Sequence, residues 1–255
     1  MSSFAKFIGA SLGWSLGGPI GGILGFALGS LIDGFTGLDV KTGNRRQSGG
    51  TTAAGDFEIS LLILAAVVIK SDGKIDKREL DFVRRSFVGM YGKEKANKAF
   101  KLFGGIIKKD DISTRQVCIQ IRQHMAHASR LQLLHFLFGI AKADGAVSHA
   151  EMHIIKTISV YLYISNRDFE SIRAMFSATS SGGRSSGYTS SSAYKILEIT
   201  KKATNAEVKK AYRKLVKKHH PDKLRHLGEE YQKGAEEKFR QVQQAYEQIQ
   251  KERGM

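Results

Sequence analysis

Hydrophobic positions recur with helical spacing through the middle of the chain. Between residues 56 and 176, apolar side chains return every three or four positions in successive stretches, the first at residues 61–69 and the last at residues 169–176. The stretch at residues 133–140 is apolar on nearly all sides, which is typical of a central helix. No proline interrupts the region. The pattern therefore predicts an all-α domain at residues 56–176 that buries a core of its own.

The end of the chain, residues 193–255, has a second helical pattern with strongly segregated charge. One face of residues 206–218 is apolar, and six cations cover the other faces: Lys209, Lys210, Arg213, Lys214, Lys217 and Lys218. The helix is expected to stop at the following proline, which disfavours helical angles at the residue before it. A further apolar pattern at residues 235–249 predicts an antiparallel partner helix. The loop between the two helices carries His220, Pro221 and Asp222.

The N-terminal segment, residues 1–35, is predicted to cross a membrane. Residues 7–32 include no charged side chain and are long enough to span a bilayer. Glycine returns every four residues, which gives a helix a groove of exposed backbone suited to close packing in lipid and predicts a homodimer. These positions are Gly9, Gly13, Gly17, Gly21, Gly25 and Gly29. The alternative is a glycine-rich segment, kinked at Pro19, that only associates with the membrane.

Charge and composition also predict how the parts are arranged. One lysine precedes the apolar segment, whereas Lys41, Arg45 and Arg46 follow it, so a single pass should leave the C-terminal domains in the cytoplasm. Residues 36–55 and 177–192 are rich in Gly, Ser and Thr and read as a flexible tether and a flexible linker. We expect the linker to let the last module swing towards a large partner.

The composition narrows the choice of function. The formal charge of +16 is spread along the chain, which indicates acidic partners or an anionic lipid surface. No helix-turn-helix, RNP or zinc-finger pattern is present, so no nucleic acid partner is expected. Cys118 is the only cysteine, which excludes disulfide bonds within the chain and a CxxC zinc module. No triad, paired carboxylates or phosphate loop is found, so the sequence predicts neither an enzyme nor a cofactor.

Two segments of the central domain repeat one pattern: residues 70–79 (KSDGKIDKRE) match residues 142–151 (KADGAVSHAE). Each copy predicts a helix end, a tight glycine turn and the capped start of the next helix. Capping accounts for most of the acidic residues. The alternative is a site for a hard divalent cation, if the two copies pack as a pair. Its candidate ligands are Asp72, Asp76, Glu79, Asp144 and Glu151. The paired turns in an all-α domain resemble the tellurite-resistance TerB-like domain, in which such acidic residues are suspected cation ligands.

Three segments near the end of the chain resemble the J-domain of DnaJ-type co-chaperones: AYKILEI, KKAYRKLVKKHHPDK and KFRQVQQAYEQI. The tripeptide, the basic helix and the closing helix all fall in register. The resemblance implies contact with a DnaK-type ATP-driven chaperone through His220, Pro221 and Asp222. It also implies a supporting role for the cationic residues Lys209, Lys210, Arg213, Lys214 and Lys217.

The order of the parts is similar to that of the membrane-anchored DnaJ-like co-chaperones of the DjlA type. That resemblance implies a co-chaperone that stimulates ATP hydrolysis by a cytosolic DnaK-type chaperone at the bacterial inner membrane. An alternative from another class is a membrane stress sensor or scaffold that acts through the TerB-like domain, with or without a bound divalent cation. In that case the J-domain would only recruit the chaperone.

Overall fold

The computed structural model describes residues 11, 19–23, 26, 54–177, 190–220, 222 and 229–255. Of the six glycines in the four-residue period, Gly21 falls in this part, within a helical stretch at residues 19–23, and the other five lie outside it. Most of the two Gly/Ser-rich segments and Pro221 also lie outside. The described residues form helices and their connections without any strand, which confirms the all-α class. None of the helices in this part is both long enough and apolar enough to span a bilayer.

The chain divides into two compact units, Met1–Met125 and Ala126–Met255. The first unit contains α1 (Ala54–Ile69), α2 (Lys77–Ile107) and α3 (Thr114–His124). Helix α1 is apolar on almost all sides and is buried along most of its length. Helix α2 breaks at Gly92, where φ is 76° and ψ is 163°. The break lies between two groups of buried residues, with Val83 and Phe87 before it and Ala99 and Phe103 after it. It requires glycine, because other residues rarely adopt this conformation.

The described residues of the second unit form α4 (His127–Ala141), α5 (His149–Tyr161), α6 (Asn166–Ser177), α7 (Ser190–Ile196), α8 (Asn205–Lys218) and α9 (Glu229–Arg253). Helix α4 is buried on most sides, as its continuous apolar sequence predicts. It packs against α6 through aromatic rings: Phe138 lies 5.5 Å from Phe169 and 5.7 Å from Phe176, measured between ring centroids. Helix α6 is therefore part of the core that α4 organises.

Helix α6 also contributes to a second core, which it shares with the C-terminal helices. Ala174 and Met175 of α6 are buried in one cluster with eleven members in all, the rest drawn from residues 193–249. The hydroxyl of Ser171 also donates a hydrogen bond of 2.6 Å to the carbonyl oxygen of Ile196. These contacts with α6 differ from the expectation, drawn from the linker composition, that the C-terminal module swings freely. Helix α7 has only seven residues and buries side chains on several sides, so it needs α6 as well as α9 to cover it.

Candidate functional site

The basic helix α8 begins at a capping box. The side chain of Thr204 accepts a hydrogen bond from the amide of Glu207, and the carboxylate of Glu207 accepts one of 2.7 Å from the amide of Thr204. The carboxylate of Glu207 also accepts a hydrogen bond of 3.0 Å from the hydroxyl of Thr204. The two bonds to this carboxylate, first the one from the backbone amide and then the one from the hydroxyl, lower the pKa of Glu207. Val208 and Leu215 of the apolar stripe are buried. The five cations named from the sequence are all exposed: Lys209, Lys210, Arg213, Lys214 and Lys217.

The loop after α8 brings two of the three predicted contact residues together. Helix α8 ends at a C-cap on His219. The Nδ1 atom of His220 accepts a hydrogen bond of 3.3 Å from the amide of Asp222 and lies 3.5 Å from its carboxylate oxygen Oδ2. The ring of His220 stands edge-on to the ring of Phe239 in α9, with centroids 6.0 Å apart. Both side chains remain accessible, with 43% of His220 and 54% of Asp222 exposed.

Two tyrosines hold α8 against α9 behind this loop. The rings of Tyr212 and Tyr246 are stacked with centroids 4.1 Å apart and an angle of 9° between their planes. Such pairs contribute about 0.5–1.5 kcal/mol beyond the area that they bury. The stack fixes the two helices that flank the loop, so the position of His220 is set by rigid elements.

Lys218 differs from the other cations of α8, because it points inward. Its Nζ atom contacts the carboxylate of Asp168 in α6 and lies 3.2 Å from the carboxylate of Glu198. The side chains of Lys218, Asp168 and Glu198 are 19%, 6% and 8% exposed. Burial lowers the pKa of Lys218 to about 8, so the amine is still mostly charged at neutral pH. Sequence reasoning placed Lys218 on the cationic surface and missed Asp168, fifty residues earlier in the chain.

A second polar contact joins α4 to α9. Lys238 is 2% exposed, and burial lowers its pKa well below the ordinary value. Burial also lowers the pKa of His135 in α4, and the charge of Lys238 acts in the same direction. The side chain of Gln241 opposes that shift. Nothing in the sequence signals the burial of Lys238, since this residue lies in a charged stretch typical of a solvent-exposed face.

The two repeated turns have the local structure that the sequence predicts. Gly73 and Gly145 have positive φ angles of 78° and 112°. Asp76 with Glu79 and Ser148 with Glu151 form complete capping boxes. Hydrogen bonds from Arg78 lower the pKa of Asp76 to about 2.

The remaining two candidate cation ligands also make local hydrogen bonds. A carboxylate oxygen of Asp72 accepts a bond of 2.9 Å from the amide of Lys74, and one of Asp144 accepts a bond of 3.2 Å from the amide of Ala146. Across the part of the chain that the structure describes, no group of three or more His, Cys, Asp or Glu side chains is arranged to hold a metal ion. The two turns belong to different units, and the shared cation site stays a prediction.

Comparison with known proteins gives three family matches. The model of tellurite resistance protein TerB matches residues 58–174, that of the DnaJ domain residues 192–254, and that of the co-chaperone DjlA transmembrane domain residues 1–48. The curated "Co-chaperone protein DjlA" of Vibrio cholerae is 31% identical over 78% of this chain and 79% of its own. The protein of the same name from Coxiella burnetii is 29% identical over 100% of both chains. The one from Shewanella oneidensis is 37% identical over 45% of this chain and 46% of its own. No solved structure matches the chain significantly.

Proposed function

This chain belongs to the family of the co-chaperone protein DjlA, and we propose that it stimulates ATP hydrolysis by a DnaK-type chaperone at a membrane. It is a J-domain co-chaperone, with the J-domain at its C-terminal end. The observation that carries the proposal is the placement of His220 and Asp222. Both side chains are accessible, and they follow directly on a helix with five exposed cations.

The two features have different roles in the proposed contact. The cations attract an acidic surface over a distance, which mainly sets the rate of encounter and the register of docking. The loop then offers a fixed contact, since its flanking helices are held by stacked tyrosines. A contact of this kind changes the partner's ATPase rate if it binds one conformation of the partner better than another.

The decisive test is His220→Gln in the full chain, reconstituted in lipid nanodiscs. We expect this substitution to abolish stimulation of single-turnover ATP hydrolysis by the DnaK-type chaperone of the same organism. The melting temperature should stay the same, because an accessible loop side chain contributes little to stability. His153→Gln is the matched control, since His153 is exposed on α5, outside the J-domain. Stimulation that persists in His220→Gln would contradict the proposal.

A second test separates encounter from contact. Lys210→Glu combined with Lys214→Glu reverses two exposed charges of α8 and leaves the loop intact. Stimulation should fall most at low ionic strength and recover in part when the co-chaperone is saturating, because charge reversal weakens association more than the bound state. A loss that no concentration restores would instead place these lysines in the contact that activates the chaperone.

We further propose that residues 1–35 anchor the protein in the bacterial inner membrane by a single pass, with the C-terminal domains in the cytoplasm. The match of residues 1–48 to the DjlA transmembrane domain and the uncharged stretch at residues 7–32 support the anchor. The positive charges that follow this stretch support the orientation. The glycine period supports association of two copies through this segment.

A further inference from the structure

A groove lies between α6 and the first two helices of the J-domain. It has a volume of about 740 Å³. Helix α6 lines it with Asn166, Arg167 and Glu170, and the J-domain contributes four lysines from two helices and the loop between them. These are Lys195, Lys202, Lys210 and Lys214. The groove therefore continues the cationic face of α8 onto a helix outside the DnaJ match at residues 192–254.

The carboxylates around the groove are already engaged elsewhere. Glu170 forms an ion pair of 3.2 Å with Arg173, and Glu198 forms one of 3.2 Å with Lys218. Glu207 accepts hydrogen bonds from the N-cap of its own helix. By contrast, no ion pair within the described part of the chain engages Arg167 or any of the four lysines. The groove therefore presents an excess of positive charge.

Arg167 and Lys214 approach the groove from opposite sides. Burial raises the pKa of Glu198, and the charges of Lys214 and Arg167 both oppose that rise, so both cations act on the same carboxylate. Their spacing is fixed, because the contact between Lys218 and Asp168 and the shared apolar core hold α8 against α6. An extended acidic segment in the groove would thus meet cations from both helices.

We propose that the groove binds an acidic segment of the same chaperone that the J-domain contacts, and that Arg167 of α6 is part of that binding surface. The inference depends on the proposed function and adds a contact outside the J-domain. Charge complementarity is the argument for this occupant: five cations without ion-pair partners in the described residues face one groove, beside a helix that an acidic partner already approaches.

The test is Arg167→Glu in the full chain, in nanodiscs of zwitterionic lipid so that the membrane carries no competing charge. Binding of the ATP-bound chaperone is measured by surface plasmon resonance at low and at high salt. We expect affinity to fall roughly three- to tenfold at low salt, the size of one or two exposed charge contacts, and to approach wild type at high salt. Arg115→Glu is the matched control, since it makes the same side-chain change at an exposed position of α3 and Arg115 does not line the groove.

Lys195→Glu changes the groove from the J-domain side and should weaken binding to a similar extent. This second variant keeps the test decisive if Arg167→Glu disturbs folding, which circular dichroism would detect. Equal affinities for the groove variants and Arg115→Glu would overturn the inference. So would groove variants that bind the chaperone normally but bind phosphatidylglycerol vesicles less well. Failure of the proposed function has a different signature, namely stimulation that survives His220→Gln.

Discussion

Replacing Lys218 by methionine should loosen the J-domain from α6. The substitution keeps the length and apolar stem of the side chain and removes only its charge. It leaves the carboxylates of Asp168 and Glu198, 6% and 8% exposed, without their shared cation. Removing one partner of a buried ion pair costs about 3–5 kcal/mol. Asp168 keeps a hydrogen bond of 2.8 Å from Ser165, so we expect the lower end of that range.

Amide hydrogen exchange of the full chain in nanodiscs measures the loss of stability in the individual helices that pack against α6. A loss of about 3 kcal/mol corresponds to an increase on the order of a hundredfold in the exchange rate of amides that open with the docked helices. The increase should appear in α7 and α8 and be absent from α1. Lys217→Met is the matched control: the same change one residue earlier, at an exposed position with no ion pair among the described residues. Lys217→Met should change the free energy of opening, derived from the exchange rates, by no more than about 0.5 kcal/mol.

The pH dependence gives the prediction a second readout. Burial raises the pKa of Glu198, which means that the folded state binds this proton more tightly than the unfolded chain. The free-energy cost of burying the charged Glu198 is therefore fully present when the pH is above its pKa in the folded protein. This cost is lost as the pH falls to the pKa that Glu198 has in the unfolded chain. The deficit of Lys218→Met should shrink as the pH is lowered from neutral to about 5. Equal exchange in the Lys218 and Lys217 variants, at every pH, would refute a stabilising role for the buried pair.

Three further variants test other parts of the chain. Thr204→Ala removes the side-chain cap of α8 and should lower stability by about 1 kcal/mol in thermal unfolding followed by circular dichroism; an unchanged midpoint would contradict this. If the turns bind a cation, Asp72→Asn with Asp144→Asn should abolish the heat of binding of calcium, magnesium, manganese or zinc in calorimetry, and heat that persists would exclude this assignment. Gly17→Leu with Gly21→Leu should weaken self-association in a membrane two-hybrid assay, and an unchanged signal would argue against close packing along the glycines.

Local features of the fold were predictable because their signals lie within a few residues. Both capping boxes of the repeated turns and that of Thr204 follow from a cap residue with glutamate three positions later. The buried stripe of α8 follows from helical spacing. The candidate site is of the same kind, since its cations and the His220 loop are contiguous in the sequence.

The docking of the J-domain was not predictable in this way. The Gly/Ser-rich composition of residues 177–192 predicts a flexible connection, but it carries no information about whether the elements on either side pack together. Lys218 and Asp168 lie fifty positions apart, and either is an ordinary surface residue until α6 and α8 meet. The burial of Lys238 was not predictable for the same reason, since most of its neighbours in the sequence are charged and its burial arises only from tertiary packing.

Helix α6 packs in two cores, and this limits which J-domains could replace the one in this protein. Phe169 of this helix packs on Phe138 of α4, and Ala174 and Met175 lie in the core of the J-domain. A cut on either side of α6 therefore removes buried side chains from one of the two halves, and full burial of a methionine alone contributes about 1.5–3 kcal/mol. A chimera that receives a foreign J-domain after residue 190 would inherit an unmatched apolar face on α6. The J-domain of this protein therefore cannot be exchanged for another J-domain without loss of apolar packing against α6.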